Sequence, residues 1–416
     1  MDEAPDCFPR YRVTTFGEPR DWLSCTSPAA MNSAGTIVGS CRANHQHLGF
    51  IFDGNGMRTV AVPNSNVSLT GIDDANYAFG SDDRNTFISV HADSSEISAV
   101  PCEHLENIGI YSVSPDGYIL GSALFLKPGK KTRGFHGGII AKHTEGFVQP
   151  FEALSLTPRV REDLASRLSS LESIDRRHLA AVSKNAKGQI LVVAVRVGPN
   201  LESFPILIEP DGSMRFAFGE AWRDSPTGSG SAVLADDGSI SIQARCSVPP
   251  SHTVFWCNPD QKCERCGRQE HAVFREKLRG KMSLSPQICA CLDPVRPDFK
   301  KPIGYTKEEW TASYWGPHST VSMYANSGDF WVGEVGSSGL YPGDIHGARP
   351  EGSGVGAIWK RDGDSFRFAL LRDLIEDAPK LEVLGGVAIN ARGQIACRIV
   401  TRSGGYLGAR LEPIAA

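Results

Sequence analysis

Short stretches of alternating apolar and polar residues, each leading into or out of a polar turn, recur along the whole chain. The repeated phrase has an apolar residue, a polar turn with Gly or Asn, and then a β-prone run that often ends in a small residue. Its copies are Met31–Gly39, Ile72–Gly80, Val113–Gly121, Asn185–Leu191, Leu234–Ile240, Ala325–Gly333 and Ile389–Ile395. Short apolar runs bounded by such turns predict β-strands.

The spacing of these copies indicates one structural unit that is repeated. The turn residues Gly35, Asn76 and Gly117 follow one another at intervals of 41 residues, and the later intervals are longer. The widest interval, from Gly238 to Gly328, contains a degenerate copy around Leu284–Cys291. The chain therefore holds seven clear copies and one doubtful copy, which is typical of a repeat architecture.

Each copy continues with a third apolar strand, a tight polar turn and a fourth strand. The third strands are predicted at Gly49–Phe52, Gly138–Ile140, Pro205–Ile208, Val254–Trp256 and Ala357–Trp359. Four short strands joined by hairpins and repeated in this way are typical of a β-propeller blade. We expect an all-β fold, a single β-propeller domain over residues 1–416 with eight four-stranded blades. The number is seven if 269–315 is one long insertion.

The two ends of the chain predict how the ring closes. The segment Tyr406–Leu411 has the character of a third strand with no fourth strand after it, whereas Tyr11–Phe16 reads as a fourth strand without its partners. The N-terminal strand is therefore expected to complete the last blade, which protects an open sheet edge.

The repeated phrases resemble the HAF-repeat family of probable extracellular repeat proteins. The best match is Leu371–Ile375 followed by Ala388–Ile395, and His47–Phe50 and His252–Phe255 occupy the His-Ala-Phe position of that family's consensus. The resemblance covers most of the chain, although each copy is degenerate. It implies a propeller and a secreted or periplasmic location, and it implies no reaction because the motif residues of the family are structural.

Strand alternation predicts that all large insertions lie on one face of the ring. The turns between first and second strands, and between third and fourth strands, are short and share the other face. The insertions are 123–136, 156–178, 269–281 and 334–354, of which 156–178 has the apolar spacing of a helix that starts at Thr157–Pro158. Variable loops on a repeat scaffold favour a functional site on their face. The alternative is that they only cap the channel.

One of these insertions combines acid–base and aromatic side chains. Tyr341, Asp344, His346 and Arg349 lie within a few residues of one another. We predict Asp344, His346 and Arg349 as catalytic candidates and Tyr341 as a ligand contact, because such groups serve acid–base chemistry or hold a polar ligand. An ordinary solvated loop is the alternative interpretation.

Aromatic residues next to charged residues occur in the connections between blades. The predicted ligand-binding residues are Arg20, Trp22, Trp222, Arg223, Trp315 and His318. Aromatic rings at a channel mouth suit stacking on a sugar or another planar group. The same tryptophans would also suit packing between blades.

Four cysteines have a spacing similar to that of a structural zinc site. Cys263 and Cys266 form a Cys-x2-Cys pair, and Cys289 and Cys291 follow. The second pair is Cys-x-Cys, and Cys257 and Cys263 flank a turn that a disulfide would also suit. Disulfide-bonded or unligated cysteines are therefore the main interpretation and zinc the alternative. No other cofactor is expected.

Composition narrows the classes of partner. The charge is nearly balanced, with 43 Lys and Arg against 47 Asp and Glu, which argues against nucleic acid as a partner. No apolar stretch is long enough to span a membrane. The start, Met1–Pro5, lacks the features of a signal peptide, which fits a cytosolic chain or one whose signal was replaced.

These observations predict a ligand- or partner-binding propeller that uses the insertion-bearing face for a glycan, a peptide or a protein. The second hypothesis is a hydrolase or lyase that acts on a polar substrate at the channel mouth. Fold alone does not decide between them, and the sequence does not determine the oligomeric state.

Overall fold

The strands of this protein form seven antiparallel sheets in the part of the chain that the structure, a computed structural model, describes. The described residues are 7–20, 26–43, 46–94, 96–102, 105–126, 135–144, 147–148, 152–154, 157–160, 177–196, 202–217, 232–247, 250–262, 269–274, 319–337, 355–362, 365–376, 381–401 and 405–414. We number the sheets 1 to 7 in chain order, and the strand named first in each is its first strand.

Sheets 1 to 3 cover the N-terminal part of the chain, after a strand β1 (Tyr11–Arg20) that belongs to sheet 7. Sheet 1 contains β2 (Ser27–Met31), β3 (Ile37–Ala43), β4 (Gln46–Phe52) and β5 (Met57–Val60). Sheet 2 contains β6 (Val67–Ile72), β7 (Tyr77–Asp82), β8 (Thr86–His91) and β9 (Ile97–Pro101). Sheet 3 contains β10 (Leu105–Val113), β11 (Tyr118–Phe125), β12 (Phe135–Thr144), β13 (Phe147–Val148) and β14 (Glu152–Ala153).

Sheets 4 to 7 repeat this order. Sheet 4 contains β15 (Arg177–Lys184), β16 (Ile190–Arg196), β17 (Glu202–Ile208) and β18 (Met214–Phe216). Sheet 5 contains β19 (Ala232–Leu234), β20 (Ile240–Ser247), β21 (Pro250–Lys262) and β22 (Gln269–Phe274). Sheet 6 contains β23 (Ser319–Ser327), β24 (Phe330–Ser337), β25 (Val355–Asp362) and β26 (Ser365–Leu370). A short 3-10 helix, Leu371–Leu374, leads to sheet 7 with β27 (Glu382–Ile389), β28 (Ile395–Val400) and β29 (Tyr406–Pro413).

The ring closes as the sequence predicts. The N-terminal strand β1 pairs antiparallel with β29, so it is the fourth strand of sheet 7. Tyr11 and Leu411 are buried, and the N–H of Ile414 donates to the carbonyl of Arg10 at 2.8 Å. An edge that would otherwise expose unpaired N–H and C=O groups is thereby covered.

The first strands surround the axis of the ring. Each of β2, β6, β10, β15, β19 and β23 contacts the first strand of the next sheet, and β27 contacts β2. The core lies between successive sheets, as where Val38 and Ile51 of sheet 1 pack with Leu69 and Ile88 of sheet 2. Burial of these faces is what stabilises the ring, because each sheet alone would expose both of its apolar sides.

The all-β propeller is confirmed, and the predicted third strands at residues 49–52, 138–140, 205–208, 254–256 and 357–359 lie within β4, β12, β17, β21 and β25. Residues 158–160 are helical, at the start predicted for the insertion 156–178. The total of eight or seven blades stays a prediction, because residues 275–318 lie outside the described part. Among the described residues, no helix has the length and apolar character needed to span a membrane.

Candidate functional site

Most of the site residues predicted from sequence lie outside the described residues. These are Asp344, His346, Arg349, Trp22, Trp222, Arg223, Trp315, His318, Tyr341, Cys263, Cys266, Cys289 and Cys291. Arg20 is described at the end of β1, where it pairs with Tyr406. Their grouping therefore stays a prediction, and the candidate site is built from the wall of the central channel. No group of three or more His, Cys, Asp and Glu side chains suited to a metal is found within the described ranges.

A β-bulge in the first strand shapes this wall in six of the described sheets. The bulge inserts one residue between paired positions, and the inserted residues are Ala29, Thr70, Tyr111, Val182, Tyr324 and Val387. Each is more exposed than the residue before it. A bulged residue is unpaired and turned out of the sheet, so these side chains line the channel at equivalent positions.

Two of the bulged residues are tyrosines that make polar contacts with the second strand. In sheet 6, the Tyr324 hydroxyl donates to Glu334 Oε1 at 2.6 Å. Burial raises the pKa of the Glu334 carboxyl, while the Tyr324 hydrogen bond and the charge of Arg398 oppose that rise. Both side chains of the pair are half-buried. A carboxyl hydrogen-bonded to a phenol in a channel wall is suited to ligand contact and to proton transfer.

The second tyrosine, Tyr111 in sheet 3, exposes its ring to the channel. Tyr111 is 54% exposed, whereas the other large hydrophobic residues that the structure describes are buried or half-buried. The hydroxyl lies 3.0 Å from Ser122 Oγ of the neighbouring strand. The hydrogen bond holds the phenol in place while its ring face stays accessible, which is a suitable arrangement for stacking.

The short turns between first and second strands, and between third and fourth strands, share the face of the ring that we call the turn face. Some polar side chains of these turns join neighbouring sheets. The Asn390 side chain donates to the carbonyl of Asn32, and that of Asn32 donates to the carbonyl of Asp73. Asn185 donates to the carbonyl of Ala235 in the same way. These three asparagines are therefore occupied in joining neighbouring sheets and are not free to contact a ligand.

A buried histidine–aspartate pair lies on the turn face between sheets 2 and 3. His143 Nδ1 is 3.0 Å from Asp73 Oδ2, and the side chains are 4% and 2% exposed. Burial raises the pKa of Asp73, and the ring of Tyr77 lies 4.1 Å from that of His143 between centroids. A pair enclosed in this way holds two sheets together and is not accessible to a ligand.

Sequence reasoning missed Tyr111, Tyr324 and Glu334, although Glu334 was recognised as the start of an insertion. The alternation pattern assigns each residue to a face of its own strand and does not reveal a bulge. Glu334 could have been found by comparing, from repeat to repeat, the residue that follows the glycine of the second strand. That position is Ser40, Ser81 and Ser122 in the three regular repeats.

Solved structures with the same architecture come from proteins of different activity. The chain is similar to polysaccharide lyase Uly1, with 8% identity and a TM-score of 0.50 over 100% of this chain and 94% of that one. An oligogalacturonate lyase from Vibrio parahaemolyticus has 9% identity and a TM-score of 0.48, covering 97% of each chain. YCF48 bound to a D1 peptide has 10% identity and a TM-score of 0.48, covering 99% of each chain. At this identity the likeness to Uly1 shows the fold alone.

No protein-family model matches the chain, and no curated protein sequence matches it. The functional conclusion therefore depends on the residues of the channel.

Proposed function

We propose that this protein is a ligand-binding β-propeller whose ligand enters the channel from the insertion-bearing face. The observation that carries the proposal is Tyr111, a 54% exposed ring in the channel wall whose hydroxyl is bonded to Ser122. An aromatic ring held in a concave site is a typical ligand contact, since it contributes a large contact area at low entropic cost. The ligand classes are a glycan, a peptide and a protein.

The bonding of turn residues between sheets supports entry from the insertion-bearing face. Turn residues such as Asn32, Asn185 and Asn390 are already bonded between sheets. On the other side, Glu334 leads directly into the segment with Tyr341, Asp344, His346 and Arg349, which we assign to the rim of the same site.

The experiment measures which class of ligand the full chain retains. The protein is applied to arrays of immobilised oligosaccharides and peptides, together with Tyr111→Ala and a control, Asn55→Ala, in an exposed turn of the opposite face. We expect one class to bind to wild type and control, and binding to fall at least about tenfold in Tyr111→Ala, the loss of one good stacking contact. If Tyr111→Ala binds as well as wild type, the channel is not the site.

The second candidate is a hydrolase or lyase at the channel mouth, and the bond between Tyr324 and Glu334 favours it. A phenol and a carboxyl that share a hydrogen bond at 2.6 Å are placed to pass a proton between them. Turnover of an array oligosaccharide that disappears in Glu334→Gln even at ligand concentrations that saturate the variant would establish this candidate. If none of the bound ligands is converted to a product, the enzyme candidate is rejected and only the binding function is supported.

Three further assignments are part of the proposal. We assign seven blades to the ring, the smaller of the two numbers predicted from the sequence, supported by the closed series of contacts between first strands. The resemblance to HAF repeats supports secretion. Disulfide-bonded or unligated cysteines stay the main assignment for Cys263, Cys266, Cys289 and Cys291, and zinc is the alternative, which metal analysis of purified protein rejects if it finds substoichiometric zinc.

A further inference from the structure

The contact between sheets 6 and 7 differs from the regular repeats of sheets 1 to 3. Gly333 pairs with Met323 in sheet 6 as Gly80 pairs with Leu69 in sheet 2. The residue after the glycine is serine in sheets 1 to 3 and Glu334 in sheet 6. A carboxylate therefore stands where the regular repeats have a small hydroxyl.

The neighbouring strand β27 is altered at the same place. Besides the bulge at Val387 it has a second irregularity at Gly385, and of the other described first strands β10 also has two. Gly385 has φ +58°, and a Cβ on it would lie 3.3 Å from Glu334 Oε2. The glycine thus permits the left-handed backbone and leaves the space beside the carboxylate open.

The two oxygens of Glu334 have different surroundings. Oε1 accepts the hydrogen bond of the Tyr324 hydroxyl, and Oε2 faces the backbone at Gly385. A carboxylate has acceptor positions for about four hydrogen bonds, so one bond from Tyr324 leaves it able to accept from a ligand. Glu334 is only half-buried, so part of the residue is exposed to solvent.

The local charge decides which ligand suits this carboxylate. Arg398 of β28 is close enough to lower the pKa of Glu334, so a positive and a negative side chain lie near each other. The two opposite charges offset each other, so neither a cationic nor an anionic ligand gains a net charge attraction here. The group that gains most is a neutral hydroxyl, which donates a charge-assisted hydrogen bond to the carboxylate.

Tyr111 supplies a second ligand contact, an exposed aromatic ring. It occupies the same bulge position as Tyr324, three sheets away around the ring, and exposes its ring face. A molecule that presents an apolar face to a phenol and hydroxyls at its edge is a saccharide.

We propose that the channel binds a neutral saccharide, with its hydroxyls donating to Glu334 and a sugar face stacked on Tyr111. The inference rests on the proposed ligand-binding function and narrows it to one class. It assigns Tyr324 as the residue that orients Glu334, and Gly385 as the residue that keeps its second oxygen accessible.

The test is calorimetric titration of the full chain with defined probes. The probes are the neutral hexasaccharides of glucose, mannose and xylose, hexagalacturonate as an anionic saccharide, and a lysine-rich peptide. The variants are Glu334→Gln, which keeps the shape, Gly385→Ala, which fills the open space, and Tyr111→Ala with Tyr111→Phe. Glu152→Gln is the control, since Glu152 is an exposed glutamate on the outer part of sheet 3.

We expect a neutral hexasaccharide to bind, and its Kd to rise about tenfold or more in Glu334→Gln and in Tyr111→Ala. Gly385→Ala weakens binding in the same direction, while Tyr111→Phe and Glu152→Gln stay within about threefold of wild type. Thermal unfolding of each variant separates a loss of binding from a loss of fold. Tyr111→Ala keeps the test valid if Gly385→Ala does not fold, because Tyr111 is exposed.

Each other result overturns the inference in a recognisable way. Binding of hexagalacturonate or of the peptide without a neutral saccharide rejects the saccharide class and leaves the proposed ligand-binding function standing. If a neutral saccharide binds to Glu334→Gln and to Tyr111→Ala as tightly as to wild type, the proposed site is rejected. If no probe binds to wild type and no array ligand is retained, the proposed function fails together with the inference.

Discussion

At the scale of single residues, an asparagine side chain forms the turn and joins two sheets in sheets 1, 4 and 7. Asn390 Oδ1 accepts the N–H of Gln394 at 3.1 Å, while its Nδ2 donates to the carbonyl of Asn32 at 3.2 Å. Asn185 repeats both contacts with Gln189 and Ala235. The acceptor role belongs to the turn and is visible in the sequence, whereas the donor role depends on the position of the next sheet.

Replacement of Asn390 separates these roles. Asn390→Ala leaves buried N–H and C=O groups unpaired and is expected to lower the free energy of unfolding by about 2–3 kcal/mol. Asn390→Asp keeps the turn acceptor but places a buried carboxylate oxygen against the carbonyl of Asn32, so its effect is at least as large as that of Asn390→Ala. Chemical denaturation measures both, with the exposed Asn55→Ala as the control that stays within about 0.5 kcal/mol of wild type. Equal effects at Asn390 and Asn55 would contradict the linking role.

At the scale of elements, the bulge in the first strand explains a glycine in the second. A Cβ on Gly39, Gly80 or Gly121 would lie 2.1, 1.9 or 2.1 Å from the carbonyl oxygens of Ser27, Ser68 and Gly109, respectively. In these three sheets the carbonyls beside the bulge lie so close to the second strand that only glycine leaves room for them. The glycine that ends the phrases Met31–Gly39, Ile72–Gly80 and Val113–Gly121 is therefore a partner of the bulge.

Gly80→Ala tests this coupling. A Cβ at residue 80 would overlap the carbonyl oxygen of Ser68, which cannot move unless the bulge itself changes. We therefore expect Gly80→Ala to lower the free energy of unfolding by about 3 kcal/mol. Gly56→Ala is the matched control, because a Cβ there meets nothing within 4 Å, and its effect should be near zero. Denaturant titration compares the two. A tolerated Gly80→Ala means that the bulge is not held by contact with the glycine.

The same reasoning shows why the strands were predictable and the candidate site was not. The strands follow from local alternation and turn chemistry, which β4, β17 and β25 confirm. Tyr324 and Glu334 are brought together by pairing of β23 with β24, and the bulge at Tyr324 shifts the register by one residue. A shift of one residue changes which side chains face the channel, and no local pattern reports it.

At the scale of the whole molecule, the ring is closed by strands from opposite ends of the chain. β1 and β29 pair over most of their length, and the ends of both strands lie next to each other. All seven described sheets depend on their neighbours for burial, so an opening at one sheet exposes apolar surface on both sides of the gap.

Circular permutation distinguishes closure from chain order. A permutant that joins residue 414 to residue 7 and opens the chain between Asn55 and Gly56 keeps every strand pair, and we expect an unfolding midpoint within a few degrees of wild type. Deletion of residues 1–20 removes β1 and should abolish cooperative unfolding. Circular dichroism during heating measures both. A cooperative, equally stable deletion variant would show that β1 does not stabilise the ring.

The sequence by itself determined the β-propeller, the positions of most strands, the tight turns and the closure by the N-terminal strand. These depend on alternation, turn residues and spacing, which act over short distances along the chain. Only the tertiary structure decided which side chains line the channel, that Glu334 meets Tyr324 and Gly385, and that turn asparagines join neighbouring sheets. Those contacts join residues of different strands and sheets, and their register is set by bulges and packing rather than by local preference.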